Sequence, residues 1–236
     1  MEPLMTPPKN KKKRDTSDHT QAAYQGIRKM LFHNDIVPGQ KIAYRDLAER
    51  LGMSQTPVIQ ALKWLEFQGL VHHKRHRGYY TAPISLREVE EIYDFREQIE
   101  LALLQKTMKT IDSQGVDALR SSLEAHLEAA REIYLSDRLL KDKAFHLTLA
   151  SLSGNRVQHQ TLRLLFDLLY LKYGGNILFS TSMKTADQDH KALYDCIASH
   201  DVKGAQHILS GHISRVKEHV IIGLRKMIEE KNIGGF

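Results

Sequence analysis

The chain has a single cysteine, Cys196. That excludes both an intramolecular disulfide framework and a cysteine-rich zinc cluster. On its helical stretch, Asp187 to His200, it reads as a small packed apolar residue. No apolar run approaches the roughly 20 residues of a membrane span, and the N-terminus has no apolar signal core. A cytoplasmic protein with no membrane partner is expected. No internal repeat is evident, no HExxH motif occurs, and beyond Leu86 no strand-like alternation appears. A net excess of positive charge is also lacking in one half: residues 83–236 carry 20 Lys and Arg against 21 Asp and Glu, giving −1.

The other half holds the excess. Residues 1–82 carry 14 Lys and Arg against 7 Asp and Glu, giving +7, the electrostatic footprint of a nucleic-acid module joined to a neutral one. With 236 residues and 42% hydrophobic content, one or two cored domains are expected. Residues 1–18 contain three prolines, a basic run from Lys9 to Arg14 and little apolar content. They predict a disordered tail, either solubilising or adding phosphate contacts.

From residue 19 the pattern becomes helical. His19 to Asn34 reads as a helix with Ala23, Ile27, Met30 and Leu31 inward, followed by a turn at Pro38 and Gly39. Leu47, Ala48 and Leu51 share one face of a short helix from Tyr44. Gly52 closes it, because glycine adopts the left-handed conformation at low cost. Ser54 reads as the N-cap of the next helix, and Pro57 falls in its first turn, where a missing N–H loses no bond. Val58, Ala61, Leu62 and Leu65 form the buried stripe, with Trp64 and Phe67 flanking it. Gln55, Thr56, Ile59, Gln60 and Lys63 are left outside. After Gly69 the chain turns extended, and Leu70 and Val71 can pair with Tyr79, Tyr80 and Thr81 around the basic tip His72 to Arg77. This order is a winged helix-turn-helix, whose second helix lies in the major groove. Pro83 blocks the strand ladder and Ser85 caps the next helix.

The rest reads as six helices: Leu86–Thr110, Gly115–Tyr134, Asp137–Ser153, Asn155 to about Lys172, Lys184–His200, and Val202 to about Glu230. Gly174 and Gly175 are expected to end or kink the fourth. The fold class is therefore mainly α: a winged helix-turn-helix with a small β-hairpin wing over 19–82, then an all-α six-helix bundle over 83–236.

Within the bundle, polar residues stand on apolar stripes. Asp142 and His146 are four apart, hence about 40° apart around the axis and about 6 Å along it, in line with Leu139 and Leu149. His190 shares a stripe with Ala186, Leu193 and Ile197; His212 shares one with Leu209 and Val216. One carboxylate and three imidazoles from three helices suit Zn²⁺, Ni²⁺, Mn²⁺ or Fe²⁺ with open positions left. Hydrogen-bonded core histidines are the other reading. His126, His159 and His219 lie near apolar positions as structural or outer-shell residues. Arg96 interrupts the stripe Val89, Ile92, Ile99, Leu103. A buried guanidinium needs a carboxylate or comparable partner, which Glu100 one turn on can supply.

The runs VPGQKI and LAERLGMSQTPVIQALKWLEFQGLV, with the Gly78 hairpin, resemble the DNA-binding domain of the GntR family of bacterial transcription regulators. That resemblance implies DNA contacts at Arg45, Gln55, Thr56, Arg77 and Gly78, to which the exposed face adds Ser54, Ile59, Gln60, Lys63, Lys74 and Arg75. Gln55 and Ile59 stand where the family commonly has arginine, so the operator is expected to differ from the usual one. KDKAFHLTLASLSGN, DQDHKALYDCI and AQHILSGHI resemble the FCD effector domain of the FadR subfamily in its six-helix, VanR-like form. The resemblance implies metal ligation by Asp142, His146, His190 and His212, and an organic-acid carboxylate at Arg96. The expected function is a homodimeric, operator-binding regulator, not an enzyme, responding to a small carboxylate beside a divalent metal. A metal-responsive regulator without organic effector is the alternative. A metallohydrolase is disfavoured by the lack of HExxH and of a general base.

Overall fold

The computed structural model describes the backbone of residues 11–129, 135–177 and 183–233. The chain divides into two compact units, 1–83 and 84–236.

In the first unit, α1 (Lys11–Phe32), α2 (Tyr44–Arg50) and α3 (Gln55–Phe67) pack beside a sheet of β1 (Lys41–Ile42), β2 (Val71–Lys74) and β3 (Gly78–Thr81). α1 lies against α3, and Ala23, Ile27, Val58, Ala61, Leu62 and Leu65 between them are fully buried. Each large side chain of that set contributes about 1.5–3 kcal/mol by leaving water; Leu62→Ala would cost about 2–5 kcal/mol. α1 begins at Lys11, eight residues before the expected start. Lys and Arg are good helix formers, and the prolines of the tail all lie upstream of the run. The remainder of the expected tail, residues 1–10, lies outside the described residues.

The sheet has three antiparallel strands in the order β1-β3-β2, where only a hairpin was expected. β1 is too short to show alternation. It is held by Thr81, whose hydroxyl donates to the Val37 carbonyl at 2.7 Å and accepts from Gln40 N–H at 2.9 Å. In the wing, Val71 pairs with Thr81 and Lys74 with Gly78. The tight return requires positive φ at His76 (60°) and Gly78 (93°), which only the glycine adopts without strain.

The second unit is α4 (Leu86–Thr110), α5 (Ser113–Ala129), α6 (Leu135–Ser151), α7 (Arg156–Ile177), α8 (Met183–Ala198) and α9 (Val202–Ile233). The Ser85 hydroxyl accepts from Glu88 N–H and starts α4. α4 packs on α9, α7 and α6, and α5 packs on α6 and α8. Tyr93, Leu103, Leu119, Phe145, Leu162 and Phe166 are among the fully buried side chains. α7 runs through Gly174 and Gly175 to Ile177 instead of ending there. Two interior glycines disfavour helix by about 1 kcal/mol each, and the burial of Leu169, Tyr170, Leu171 and Tyr173 just before them outweighs that. The expected last turn of the second bundle helix, residues 130–134, lies outside the described residues.

Candidate metal centre and nucleic-acid interface

Inside the bundle, Asp142 and His146 of α6, His190 of α8 and His212 of α9 come together, with one donor atom from each within 4.8 Å of the others. All three imidazoles are buried. His190 Nε2 stands 3.2 Å from His146 Nε2 and 3.5 Å from Asp142 Oδ1; His146 Nε2 is 3.9 Å from the same oxygen. Donors about 2 Å from one ion stand about 3–4 Å from one another, so the set fits a divalent metal.

A surrounding layer orients the rings. His146 Nδ1 meets Glu100 Oε2 at 2.6 Å, His212 Nδ1 meets Asp189 Oδ2 at 3.2 Å, and His190 Nδ1 meets His126 Nε2 at 3.1 Å. Each Nδ1 is thus engaged outward and each Nε2 is left for the interior, as in carboxylate–histidine–metal sites. Tyr170 donates to Asp142 Oδ2 at 2.7 Å. Burial opposes ionisation of Asp142, but His146, His190 and Arg96 outweigh it and hold the carboxyl well below its usual range. Burial holds His190 and His212 below the usual imidazole value, and neighbouring imidazoles add to the effect. Neutral His190 and His212 beside an ionised Asp142 are in the protonation states that ligation requires.

Arg96 is 1% exposed. Its Nε pairs with Glu100 Oε1, and its guanidinium lies 4.2 Å from the centre of the Phe166 ring. Burial would raise Glu100, but Arg96 and then His146 bring it down to about 2. Among the described residues Arg96 Nη2 has no partner. A cavity of about 60 Å³ is lined by Arg96, Asp142, His126, Arg138, Tyr170 and Arg215, among others, so Arg96 and one residue of the donor set border one space. His219 also lines it, half-buried, with Nδ1 against the Arg215 carbonyl. His159 is not part of the cluster. Tyr170 on Asp142, Asp189 behind His212 and the contact of Glu100 with His146 have no signature in the sequence, whereas His126, expected as a structural or outer-shell residue, stands against His190.

In the first unit, Arg45, Ser54, Gln55, Thr56, Gln60 and Lys63 are exposed and Ile59 is half-buried. Ser54 stands at the start of α3 but makes no side-chain cap bond. Gln60 Oε1 is already engaged by the Thr20 hydroxyl at 2.8 Å. Lys74, Arg75 and Arg77 are exposed on the wing, with Lys74 over the Tyr80 ring at 4.7 Å, and Gly78 forms the turn behind them.

Fold and site together define a winged-helix DNA-binding protein with a second, helical half built around a metal-competent polar core. Residues 19–80 match the bacterial regulatory proteins of the gntR family, and residues 91–215 match the FCD domain. The chain belongs to the GntR family of bacterial regulators, with an FCD domain as its second half. It is similar to the uncharacterized HTH-type transcriptional regulator YdhC of Bacillus subtilis, 25% identical over 88% of this chain and 91% of that one. It is also similar to the HTH-type transcriptional repressor GlaR of Escherichia coli, 24% identical over 80% and 90%. In fold it is similar to McbR/YncC of E. coli, with a TM-score of 0.74 at 19% identity over 89% of this chain and 98% of that one. The protein is a DNA-binding transcription regulator, not an enzyme, and no described helix is long and apolar enough to cross a membrane.

Proposed function

We propose that the chain is a cytoplasmic, homodimeric regulator whose operator affinity changes when a small organic acid binds beside a divalent metal in the helical half. One observation carries this reading: Arg96, which is buried with a guanidinium nitrogen that has no partner among the described residues, and Asp142 of the donor set line a single cavity. Asp142, His146, His190 and His212 would hold Zn²⁺, Ni²⁺, Mn²⁺ or Fe²⁺, which supplies an electrophilic position for an anionic oxygen. Arg96 Nη2 recognises the acid's carboxylate by a charge-assisted hydrogen bond. Glu100 keeps Arg96 and His146 in register from behind.

DNA is read by Gln55, Thr56, Ile59 and Gln60 at the start of α3, with Arg45, Ser54, Lys63 and the wing residues Lys74, Arg75, Arg77 and Gly78 on phosphates or the adjacent groove. The uncapped hydroxyl of Ser54 supports its assignment to a phosphate. Two half-sites about 34 Å apart require two copies. The acid acts by binding one dimer arrangement better than the other.

The ion pair of Arg96 with Glu100 favours a second reading, in which Arg96 is structural and the metal alone is sensed. Isothermal titration of metal-loaded protein against small hydroxy, keto and dicarboxylic acids separates the two. Binding that is lost in both Arg96→Ala and His146→Ala supports the acid sensor. No binding across the panel, with metal retained, favours the metal-only regulator.

A further inference from the structure

His126 of α5 is 1% exposed and lies outside the ligand set. Its Nε2 stands 3.1 Å from Asp187 Oδ1 and 3.1 Å from His190 Nδ1. Its Nδ1 is buried with no partner among the described residues, and the residue lines the same cavity as Arg96 and Asp142.

A neutral imidazole has one N–H and one lone pair, so Nε2 cannot satisfy both neighbours in every state of the site. Asp187 only accepts, and facing it Nε2 must carry the hydrogen. A His190 whose Nε2 lone pair is given to a cation has its hydrogen at Nδ1, and towards that donor His126 Nε2 must be the acceptor. The two demands exclude each other. Asp187 retains Arg138, at 2.6 Å, in either case, whereas the buried Nδ1–H of His190 has only His126 to receive it among the described residues. The contact with Asp187 is therefore the one released.

We infer that His126 is a ligand-binding residue switched on by the metal centre: a cation on His190 moves the His126 hydrogen to Nδ1, where it joins Arg96 Nη2 as a second donor to an acid anion in the cavity. The inference rests on the metal and acid reading proposed above. Each ring keeps one hydrogen, moved from Nε2 to Nδ1, so no net proton is bound or released. Metal then strengthens anion binding through the protein's own hydrogen bonds, and by linkage the anion strengthens metal binding equally.

The test uses full-length protein with nitrogen-15 histidine, chelator-stripped and then loaded with Zn²⁺ alone, its ring tautomers read by NMR and His126 assigned with His126→Gln. Stripped protein is expected to show His126 hydrogenated at Nε2, and zinc-loaded protein at Nδ1. Zinc bound to the three ligand histidines with His126 still hydrogenated at Nε2 would overturn the switch alone. Zinc that leaves those three rings unperturbed would overturn the metal reading with it. In a second measurement, with both proteins saturated in Zn²⁺, His126→Phe is expected to weaken acetate binding about tenfold or more, the loss of one hydrogen bond to a charged group. Equal acetate affinity in the two proteins would contradict the role in ligand binding.

Discussion

Glu100 answers two cationic or donor groups at once, Arg96 on one oxygen and His146 on the other, and the acid–base behaviour of the core follows from that neighbourhood. Burial keeps His190, His212 and His126 below the usual imidazole value. As pH falls through about 6.5, the unfolded chain takes up protons at these rings before the folded chain does, so stability falls. Glu100, held at about 2, contributes stability that is present above its unfolded value and disappears only in strong acid. Between about pH 6.5 and 4.5 the histidines therefore decide the slope. Chelator-stripped protein is expected to lose urea midpoint steadily from about pH 8 to 5; a flat midpoint would contradict neutral buried rings. That Asp142, His146, His190, His212 and Arg96 face the interior of the bundle is legible in the sequence, because a 3.6-residue period fixes which face a residue shares. Glu100 as a partner of His146, Asp189 behind His212, and Tyr170 on Asp142 are not. Periodicity says which residues share a face, not which helix that face meets.

At the scale of elements, the work of binding is divided, in the proposed reading, between α3 and the wing. The expected turn, recognition helix and hairpin all form, since glycine, proline and the apolar stripe act locally. β1 did not show, because two residues carry no alternation and its register depends on the distant Thr81. Gly174 and Gly175 misled for the opposite reason: local propensity yielded to packing of the preceding turn. Lys74, Arg75 and Arg77 stand exposed at the wing, suited to phosphates. Arg77→Ala is expected to weaken binding to specific and non-specific DNA alike and to lower the slope of log affinity against log salt by about 1. Ile59→Arg adds a side chain able to bind guanine bidentately and is expected to change which operators are preferred, measured by selection from random duplexes. An unchanged salt slope in the first variant would remove Arg77 from the interface.

For the whole molecule, the charge division along the chain, +7 in residues 1–82 and −1 in the rest, coincides with a division of labour. One half meets a polyanion; the other encloses a small polar core in an apolar bundle. That core is costly to fold in its bare state, with three buried imidazoles and the half-buried Asp142 carboxylate within 4.8 Å, and a ligand that binds only the folded form offsets that cost by mass action. The most direct test is titration of Zn²⁺ into chelator-stripped protein, wild type beside His146→Ala and His212→Ala, read by calorimetry and thermal unfolding. One ion per chain with a raised unfolding temperature, both lost in the variants, is the predicted result. Wild-type protein that takes up no ion, or variants that bind it as tightly, would contradict a metal centre at these four residues.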